Sequence, residues 1–180
     1  MVNKKDIVFR YDSSAEVYDN RYNDIQVHKF QEILSRVKIE DKHFLLDIGC
    51  GTGNFLGWYF NNGSSQPVFG IDISFEMIKL AHEKYPEINF LVADADNLPF
   101  RNGSFDKLFS ITHLQNMPDP IITLNEMNRI AKDDAKIAIS ILKKSWTLEK
   151  LANLIEKIPM NIVENWIAKV EDVGVICEKS

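Results

Sequence analysis

A glycine-rich turn contains the first residues whose types and spacing point to chemistry. Asp47 ends an apolar run, Gly49, Gly51 and Gly53 follow at alternate positions, and Asn54 comes directly after them. Glycines let a ligand lie against the backbone, and ligands of open α/β sheets bind at the carboxyl ends of the strands. A pyrophosphate-binding turn usually has a third glycine where this chain has Asn54. Asn54 and the charge of Asp47 therefore disfavour an anionic dinucleotide and favour a ligand with a cationic amino group.

Two further acidic residues end the next two predicted strands. Asp72 follows the turn by about 20 residues, the spacing at which a carboxylate accepts hydrogen bonds from a ribose diol. A carboxylate at Asp94 can accept from an exocyclic amino group such as adenine N6, and the Ala95 amide can donate to a ring nitrogen. Taken singly, either acid is equally well explained as a helix cap or a solvated loop residue. Together they predict a site for a nucleoside with a cationic, amine-bearing tail.

Alternating helix and strand patterns must position these residues, and they predict an α/β fold in which helices cover both faces of a mostly parallel sheet. Helices are predicted at 13–22, 25–37, 54–60, 75–85, 120–131 and 146–158. Strands are predicted at 43–48, 67–72, 88–93, 105–111, 135–142, 162–168 and 173–178. Ser74 and Asp119 are predicted to cap the helices that follow them. The last two strands form a hairpin, so the sheet has seven strands and its last strand is antiparallel, between the fifth and sixth.

The motifs at 47–53, 70–74, 93–95, 98–100 and 104–106 (DIGCGTG, GIDIS, ADA, LPF and SFD) resemble, in this order, the class I S-adenosylmethionine-dependent methyltransferases. The resemblance is closest to the small type 11 branch, which includes quinone-biosynthesis methyltransferases, and covers nearly the whole chain. It implies a Rossmann-like seven-stranded sheet of order 3-2-1-4-5-7-6. It also implies S-adenosylmethionine as cofactor and methyl transfer as the activity.

The resemblance assigns cofactor-binding residues at the ends of the first four strands and in the N-terminal helix. This set is Tyr18, Asp47, Gly49, Cys50, Gly51, Gly53, Asn54, Asp72, Ile73, Asp94, Ala95 and Thr112. The glycines would shape the turn around the methionine portion of the cofactor, and Asp72 would bind both ribose hydroxyls. Ile73 would pack on the adenine, whose edge Asp94 and Ala95 would read.

His113 follows the fourth strand, which delivers the acceptor-facing residues in this family. A general base is needed only when the acceptor must lose a proton before it attacks the methyl group. His113 is therefore a candidate base or acceptor-orienting group, and a hydrogen bond to a backbone carbonyl is the alternative. Gln115 and Asn116 either orient a polar acceptor or satisfy the loop. The Asn/Asp-Pro-Pro-aromatic motif of amino-group methyltransferases is absent, which disfavours adenine and glutamine as acceptors.

The acceptor side is predicted to be open, because no inserted segment separates the fifth strand from the closing helix and hairpin. Residues 1–24 would form an N-terminal helix and lid on a core of residues 25–180. Tyr18 resembles the lid residue of the family, Tyr11 is a second candidate, and core packing is the alternative for Tyr18. An open site suits a macromolecular acceptor or completion by a partner subunit or homodimer, and a small-molecule acceptor remains an alternative.

Two other functions compete with methyl transfer. One is a cofactor-binding subunit or regulatory protein with little or no turnover of its own. The other is a nicotinamide oxidoreductase, which Asn54 and the closing hairpin disfavour.

Length and composition predict one ordinary globular domain spanning residues 1–180. The formal net charge of -5 argues weakly against a surface built to bind nucleic acid. Cys50 and Cys177 are too few for a disulfide framework or a zinc cluster, and no metal site is predicted. Neither a signal region nor an apolar run of about 18 residues is present, so we expect a cytoplasmic protein without a membrane span.

Overall fold

A computed structural model describes residues 4–18, 23–168 and 171–180, without the side chains of residues 10, 14–18 and 23–25. The helices are α1 (Lys4–Tyr18), α2 (Asn23–Leu34), α3 (Asn54–Asn61), α4 (Phe75–Lys84), α5 (Pro120–Ile130) and α6 (Leu148–Ile155). The strands are β1 (Leu45–Ile48), β2 (Val68–Asp72), β3 (Asn89–Val92), β4 (Phe105–Ile111), β5 (Ala131–Leu142), β6 (Met160–Ile167) and β7 (Asp172–Lys179). A short 3₁₀ helix, Leu114–Asn116, follows β4.

The strands form one sheet of order β3-β2-β1-β4-β5-β7-β6, which confirms the predicted topology. β1 pairs in parallel with β2 and β4. β7 runs opposite to the other six strands and is antiparallel to both β5 and β6. Asp47 in β1 is level with Gly70 in β2 and Phe109 in β4. Because β1 to β4 run in the same direction, their carboxyl ends meet at one edge of the sheet. The sheet therefore brings the predicted site residues to one place.

Both faces of the sheet are buried under helices, as predicted. On one face α5 and α6 contribute Leu124 and Leu151 to the core. On the other, α2, α3 and α4 contribute Phe30, Phe55 and Ile78. All four residues of β1 are buried. This packing makes β1 a rigid support for the turn that follows it.

The predicted helix caps are present. The Ser74 hydroxyl accepts a hydrogen bond from the Met77 backbone N–H at 3.2 Å and begins α4. Oδ1 of Asp119 accepts from the Ile121 N–H at 3.1 Å and begins α5. Both side chains satisfy backbone donors that the first helical turn leaves unpaired.

Element boundaries differ most from prediction where distant residues decide them. The first helix begins at Lys4, well before the predicted 13–22, because Ile7 is buried and Lys4 bonds to residues beyond β3. β5 begins at Ala131 and not at residue 135. There Lys132 Nζ lies 2.8 Å from Oδ2 of Asp106 in β4. Such long-range pairs leave no local pattern in the sequence.

A buried polar cluster holds the sheet behind the end of β4. Lys29 Nζ lies 2.9 Å from Oδ1 of Asp172, and the Ser140 hydroxyl donates to Oδ2 at 2.9 Å. Burial raises the pKa of Asp172, and Lys29 opposes this shift only in part. The Ser140 carbonyl accepts from the Thr112 N–H at 2.9 Å. The cluster therefore anchors the residue that follows β4.

Candidate active site

The glycine turn after β1 has an open centre. Gly49, Gly51 and Gly53 have φ angles of 77°, 54° and 76°, which residues with a Cβ atom disfavour. The Gly49 N–H donates to the Ile71 carbonyl at 2.8 Å, which ties the turn to β2. A Cβ at Gly49 would overlap the His113 ring, whereas no described atom lies within 4 Å of a Cβ placed at Gly51. A ligand can thus approach the backbone at Gly51.

The Asp72 carboxylate lies beside this open point. Its Oδ2 accepts from the Gly51 N–H at 3.0 Å, and its Oδ1 accepts from the Ser74 N–H at 2.9 Å. The residue lines a cavity at the end of β2. Because each carboxylate oxygen can accept more than one hydrogen bond, the two backbone donors orient Asp72 and leave acceptor capacity for a diol.

The Asp94 carboxylate, after β3, is already engaged by the N-terminal helix. Lys4 Nζ lies 2.6 Å from its Oδ1 and 2.7 Å from its Oδ2. Lys4 Nζ is also 2.5 Å from Oδ2 of Asp96. The Asp96 N–H donates to Oδ1 of Asp94 at 3.0 Å. The predicted reader of an amino group therefore holds an amino group of the chain itself.

A first cavity lies between these strand ends and α1. Its predicted members are Gly49, Gly51, Asp72, Ile73, Asp94, Ala95, Thr112 and His113. Sequence reasoning missed most of the apolar wall, which includes Ile7 of α1, Ile71, Met77 and Met117. The alternation of polar and apolar residues at the strand ends does not predict which apolar side chains will line a cavity. A flat apolar ring system with a polar edge fits this lining.

A second cavity also borders the turn and shares Gly49, Gly51, Ile111 and Thr112 with the first. Its lining includes the predicted residues Asp47, Cys50 and Asn54, together with Gln26 of α2 and Thr52, which sequence reasoning missed. The two cavities are therefore neighbours on the same turn. An elongated ligand can therefore place one end in each cavity.

Asp47 is the buried acid of the second cavity. The residue is 2% exposed, and no described group donates a hydrogen bond to its Oδ1. Burial, and then the charge of Asp72, raises the pKa of Asp47 to about 8. A buried carboxylate of this kind is stabilised by a proton or by a cation. The cavity therefore suits an ammonium group.

The residue after β4 has a strained backbone. Thr112 has φ 52°, which is rare for a β-branched residue. Its carbonyl accepts hydrogen bonds from Gln115 Nε2 at 2.6 Å and Asn116 Nδ2 at 3.2 Å. Conformations of this kind cost about 1–3 kcal/mol and concentrate at functional sites. Here the strained backbone directs the next side chain, His113, against Gly49.

His113 has a buried Nε2 with no hydrogen-bond partner among the described residues. Burial lowers the pKa of His113, and the carboxylates of Asp72, Asp96 and Asp94 oppose this shift only in part. The ring is therefore neutral at neutral pH. Neutral imidazole can accept a proton, so the chemistry fits a general base.

Gly53 is a predicted site residue that lines neither cavity. Gly53 lies under the turn, where a Cβ would overlap the Phe90 ring, and it precedes the first residue of α3. Gly53 therefore contributes to the shape of the turn and not to the lining of a cavity. The side chain of Tyr18 lies outside the described residues. Tyr11, the second candidate for the lid position, lines the first cavity, and its hydroxyl accepts from Asn116 Nδ2 at 3.0 Å.

A family model of the type 11 methyltransferase domain matches residues 46–139 of the chain. This segment is just over half of the sequence and contains the turn and the ends of β1 to β4. The chain belongs to the class I S-adenosylmethionine-dependent methyltransferases. Family membership confirms the resemblance seen in the motifs, and S-adenosylmethionine is the cofactor of this methyltransferase family.

The sequence relatives are longer than the chain itself. An uncharacterized protein of Methanocaldococcus jannaschii is 40% identical over 124 residues, which cover 69% of this chain and 47% of that protein. A malonyl-[acyl-carrier protein] O-methyltransferase of Hamiltonella defensa is 29% identical over 176 residues, which cover 98% and 67%. The chain thus spans about half to two thirds of the length of these curated relatives.

Solved methyltransferase structures share the fold over nearly their whole length. An S-adenosylmethionine-dependent methyltransferase from Aquifex aeolicus superposes with a TM-score of 0.82 at 19% identity, covering 94% of this chain and 98% of that one. The methyltransferase in a complex with the Haloferax volcanii Trm112 methyltransferase activator gives a TM-score of 0.81 at 19% identity, with coverages of 94% and 97%. At these identities the likeness shows the fold alone.

Within residues 4–18, 23–168 and 171–180, no helix has the length and apolarity of a membrane span. In the same residues, no group of three or more His, Cys, Asp or Glu side chains could hold a metal ion.

Proposed function

We propose that the chain transfers a methyl group from S-adenosylmethionine to an acceptor that enters beside His113. The observation that carries this proposal is the pair of cavities that share Gly51, with one carboxylate at the end of each of three neighbouring strands. Asp47, Asp72 and Asp94 offer acceptors for an ammonium group, a diol and an amino group. Family membership supports the same donor.

The residues present fit this cofactor. The unpaired Oδ1 of Asp47 is an acceptor for the methionine ammonium. The open space above Gly51 leaves room for the ligand to cross the turn. Asp72 would hold the ribose, while Ile73, Asp94 and Ala95 would hold the adenine in the first cavity. Cys50, Asn54 and Thr112 would contact the methionine portion in the second cavity.

When bound, S-adenosylmethionine supplies a methyl group on a positively charged sulfur, which a nucleophile displaces in line. The protein would contribute chiefly alignment and the exclusion of water. The apolar wall formed by Ile7, Met77 and Met117 supports the second contribution. Because Ile7 belongs to α1, we also propose the division into residues 1–24, a helix and lid, and residues 25–180, a core, within one domain.

His113 is proposed as the general base, because its neutral ring reaches the first cavity beside the shared turn. Changing His113 to Gln should lower turnover at saturating S-adenosylmethionine while cofactor affinity stays within about twofold, since base catalysis contributes about 10²–10⁴-fold. Wild-type turnover should stay level from about pH 8 to about pH 6.5, because the pKa of His113 is lowered. Near-normal turnover of the variant would remove the base role and leave only orientation or packing.

The acceptor is proposed to reach the site from the side that no inserted segment covers. A macromolecule fits this opening, and so does a small molecule enclosed by a partner subunit or a second copy of the chain. The Trm112 complex of a protein with the same fold supports the partner subunit. Binding of the cofactor without turnover is the competing function.

A label-transfer experiment tests the proposal. The chain would be incubated with methyl-tritiated S-adenosylmethionine and a desalted or undesalted extract of the source organism, with Asp72→Ala as the control variant. Label in macromolecules or in extractable small molecules with wild type, but not with Asp72→Ala, is the expected result and gives the acceptor class. Cofactor binding with no label transfer would support the binding subunit.

A further inference from the structure

The N-terminal helix engages the acceptor group that the adenine would need. Both oxygens of Asp94 lie within 2.7 Å of Lys4 Nζ. A neutral amino group must approach the same oxygens to about 2.9 Å to donate a hydrogen bond. Charge-assisted bonds are roughly twice as strong as neutral ones. Lys4 engages both oxygens and the Asp96 N–H takes a second position on Oδ1, so an adenine amino group at Asp94 competes with a stronger, charged donor.

We propose that Lys4 is a built-in competitor of the cofactor, and that α1 is a strap that must release Asp94 before S-adenosylmethionine binds. This inference rests on the proposed function, because it takes Asp94 as the adenine reader. In this proposal α1 does more than cover the site. It sets the rate at which the cofactor enters and the affinity with which the cofactor binds.

The other contacts of α1 show why it behaves as a strap. Ile7 is 6% exposed and lines the first cavity. The Tyr11 hydroxyl accepts from Asn116 Nδ2 at 3.0 Å, beyond β4. Oδ1 of Asp12 accepts from the Ser74 hydroxyl, at the start of α4. The helix thus contacts the segments that follow β2, β3 and β4, and it crosses the cavity between them.

The contact between Lys4 and Asp94 can be broken at low cost. The Lys4 and Asp94 side chains are 30% and 37% exposed, so water and salt weaken their attraction. Asp96 is a second partner whose Oδ2 lies 2.5 Å from Lys4 Nζ. The ammonium can therefore give up Asp94 and keep Asp96, which lowers the cost of opening. A deeply buried single pair would not release so readily.

The test compares Lys4→Met with Lys5→Met, a change at an exposed neighbour on the same helix. Calorimetry would give the dissociation constant of S-adenosylhomocysteine, and surface plasmon resonance would give its association rate. Lys4→Met should bind roughly fivefold more tightly through faster association, and Lys5→Met should stay within about twofold of wild type, since an exposed ion pair contributes up to about 1 kcal/mol. Unchanged or weaker binding by Lys4→Met overturns the inference.

A salt series gives an independent measurement on the unmutated chain. Raising sodium chloride from about 50 mM to about 500 mM should tighten wild-type binding of neutral 5′-methylthioadenosine, because salt screens Lys4 from Asp94. The affinity of Lys4→Met should change little. Wild-type affinity that does not rise with salt contradicts competition. If wild type and both variants bind neither S-adenosylmethionine nor S-adenosylhomocysteine, the proposed function fails and this inference fails with it.

Discussion

Replacing Asp47 by Asn should make the protein more stable at alkaline pH and weaken its cofactor binding. The substitution keeps the shape of the side chain and removes its ionisation. Burial first, and the charge of Asp72 second, raises the pKa of Asp47 to about 8 from an ordinary value of 3.8. Between these two values the folded protein holds a proton that the unfolded chain has lost.

The sign and size of the pH effect follow from this difference. The folded state binds more protons, so the free energy of unfolding falls as pH rises, by up to about 1.4 kcal/mol per pH unit. Between about pH 5 and pH 8 the loss should reach roughly 2–4 kcal/mol in wild type relative to Asp47→Asn. Urea unfolding of both proteins across this range measures the difference directly.

Asp106→Asn is the matched control, because its carboxylate has the opposite shift. Burial raises the pKa of Asp106, but hydrogen bonds from Lys132 and the Phe44 N–H and the charges of Lys132 and His43 together lower it further, so the pKa lies below its usual value. Its stabilisation is present at neutral pH and is lost only as pH falls into the acidic range. A wild-type stability that stays level or rises relative to Asp47→Asn toward pH 8 would refute the reasoning.

The cofactor should reverse the protonation of Asp47. An ammonium group beside Oδ1 favours the charged carboxylate, so binding near pH 7 should release a proton from the site. Calorimetry in buffers of different ionisation enthalpy detects this release. Asp47→Asn should bind S-adenosylmethionine roughly tenfold or more weakly, because a hydrogen bond between charged groups contributes about 1.5–3 kcal/mol. Its binding should release no proton.

Two further substitutions test the support of the site by urea unfolding. Gly49→Ala should lower the free energy of unfolding by about 2–4 kcal/mol, because its Cβ would meet the His113 ring and its φ is positive. The control Gly63→Ala, also at positive φ but with no described atom near its Cβ, should lower it by about 1 kcal/mol. Equal losses would contradict the packing argument. Lys29→Met should cost about 3 kcal/mol near pH 8, because it leaves buried Asp172 without its cation. The cost should shrink as pH falls, because the pKa of Asp172 is raised by burial and protonation removes the unpaired charge; a loss independent of pH would argue against a charged pair.

The strand-end acids and the helix caps could be predicted because their determinants are local. Asp47, Asp72 and Asp94 each end an apolar run, and Ser74 and Asp119 each precede a helical pattern. Parallel strands then bring the carboxyl ends together, whatever the details of the helices. The order of the strands came from the ordered motifs of the family, since pairing itself leaves only a weak mark in a single sequence.

The parts that could not be predicted depend on residues far apart in the chain. Lys4 and Asp94 are 90 positions apart, and no spacing rule joins them. The left-handed backbone of Thr112 runs against the preference of its residue type. The Thr112 N–H donates one hydrogen bond and the Thr112 carbonyl accepts another, and these bonds hold its conformation. Lys29 is buried beside Asp172, far along the chain, and no local pattern in the sequence joins the two residues.

The most direct test of the account is calorimetric titration of the full chain with S-adenosylmethionine. Wild type should bind with one site per chain, and NAD should give no binding heat. Asp72→Ala should bind S-adenosylmethionine roughly tenfold or more weakly, because it loses charged hydrogen bonds to the ribose. Glu87→Ala, a change at an exposed residue shortly before β3, should match wild type. Absence of S-adenosylmethionine binding, or undiminished affinity of Asp72→Ala, would contradict the account.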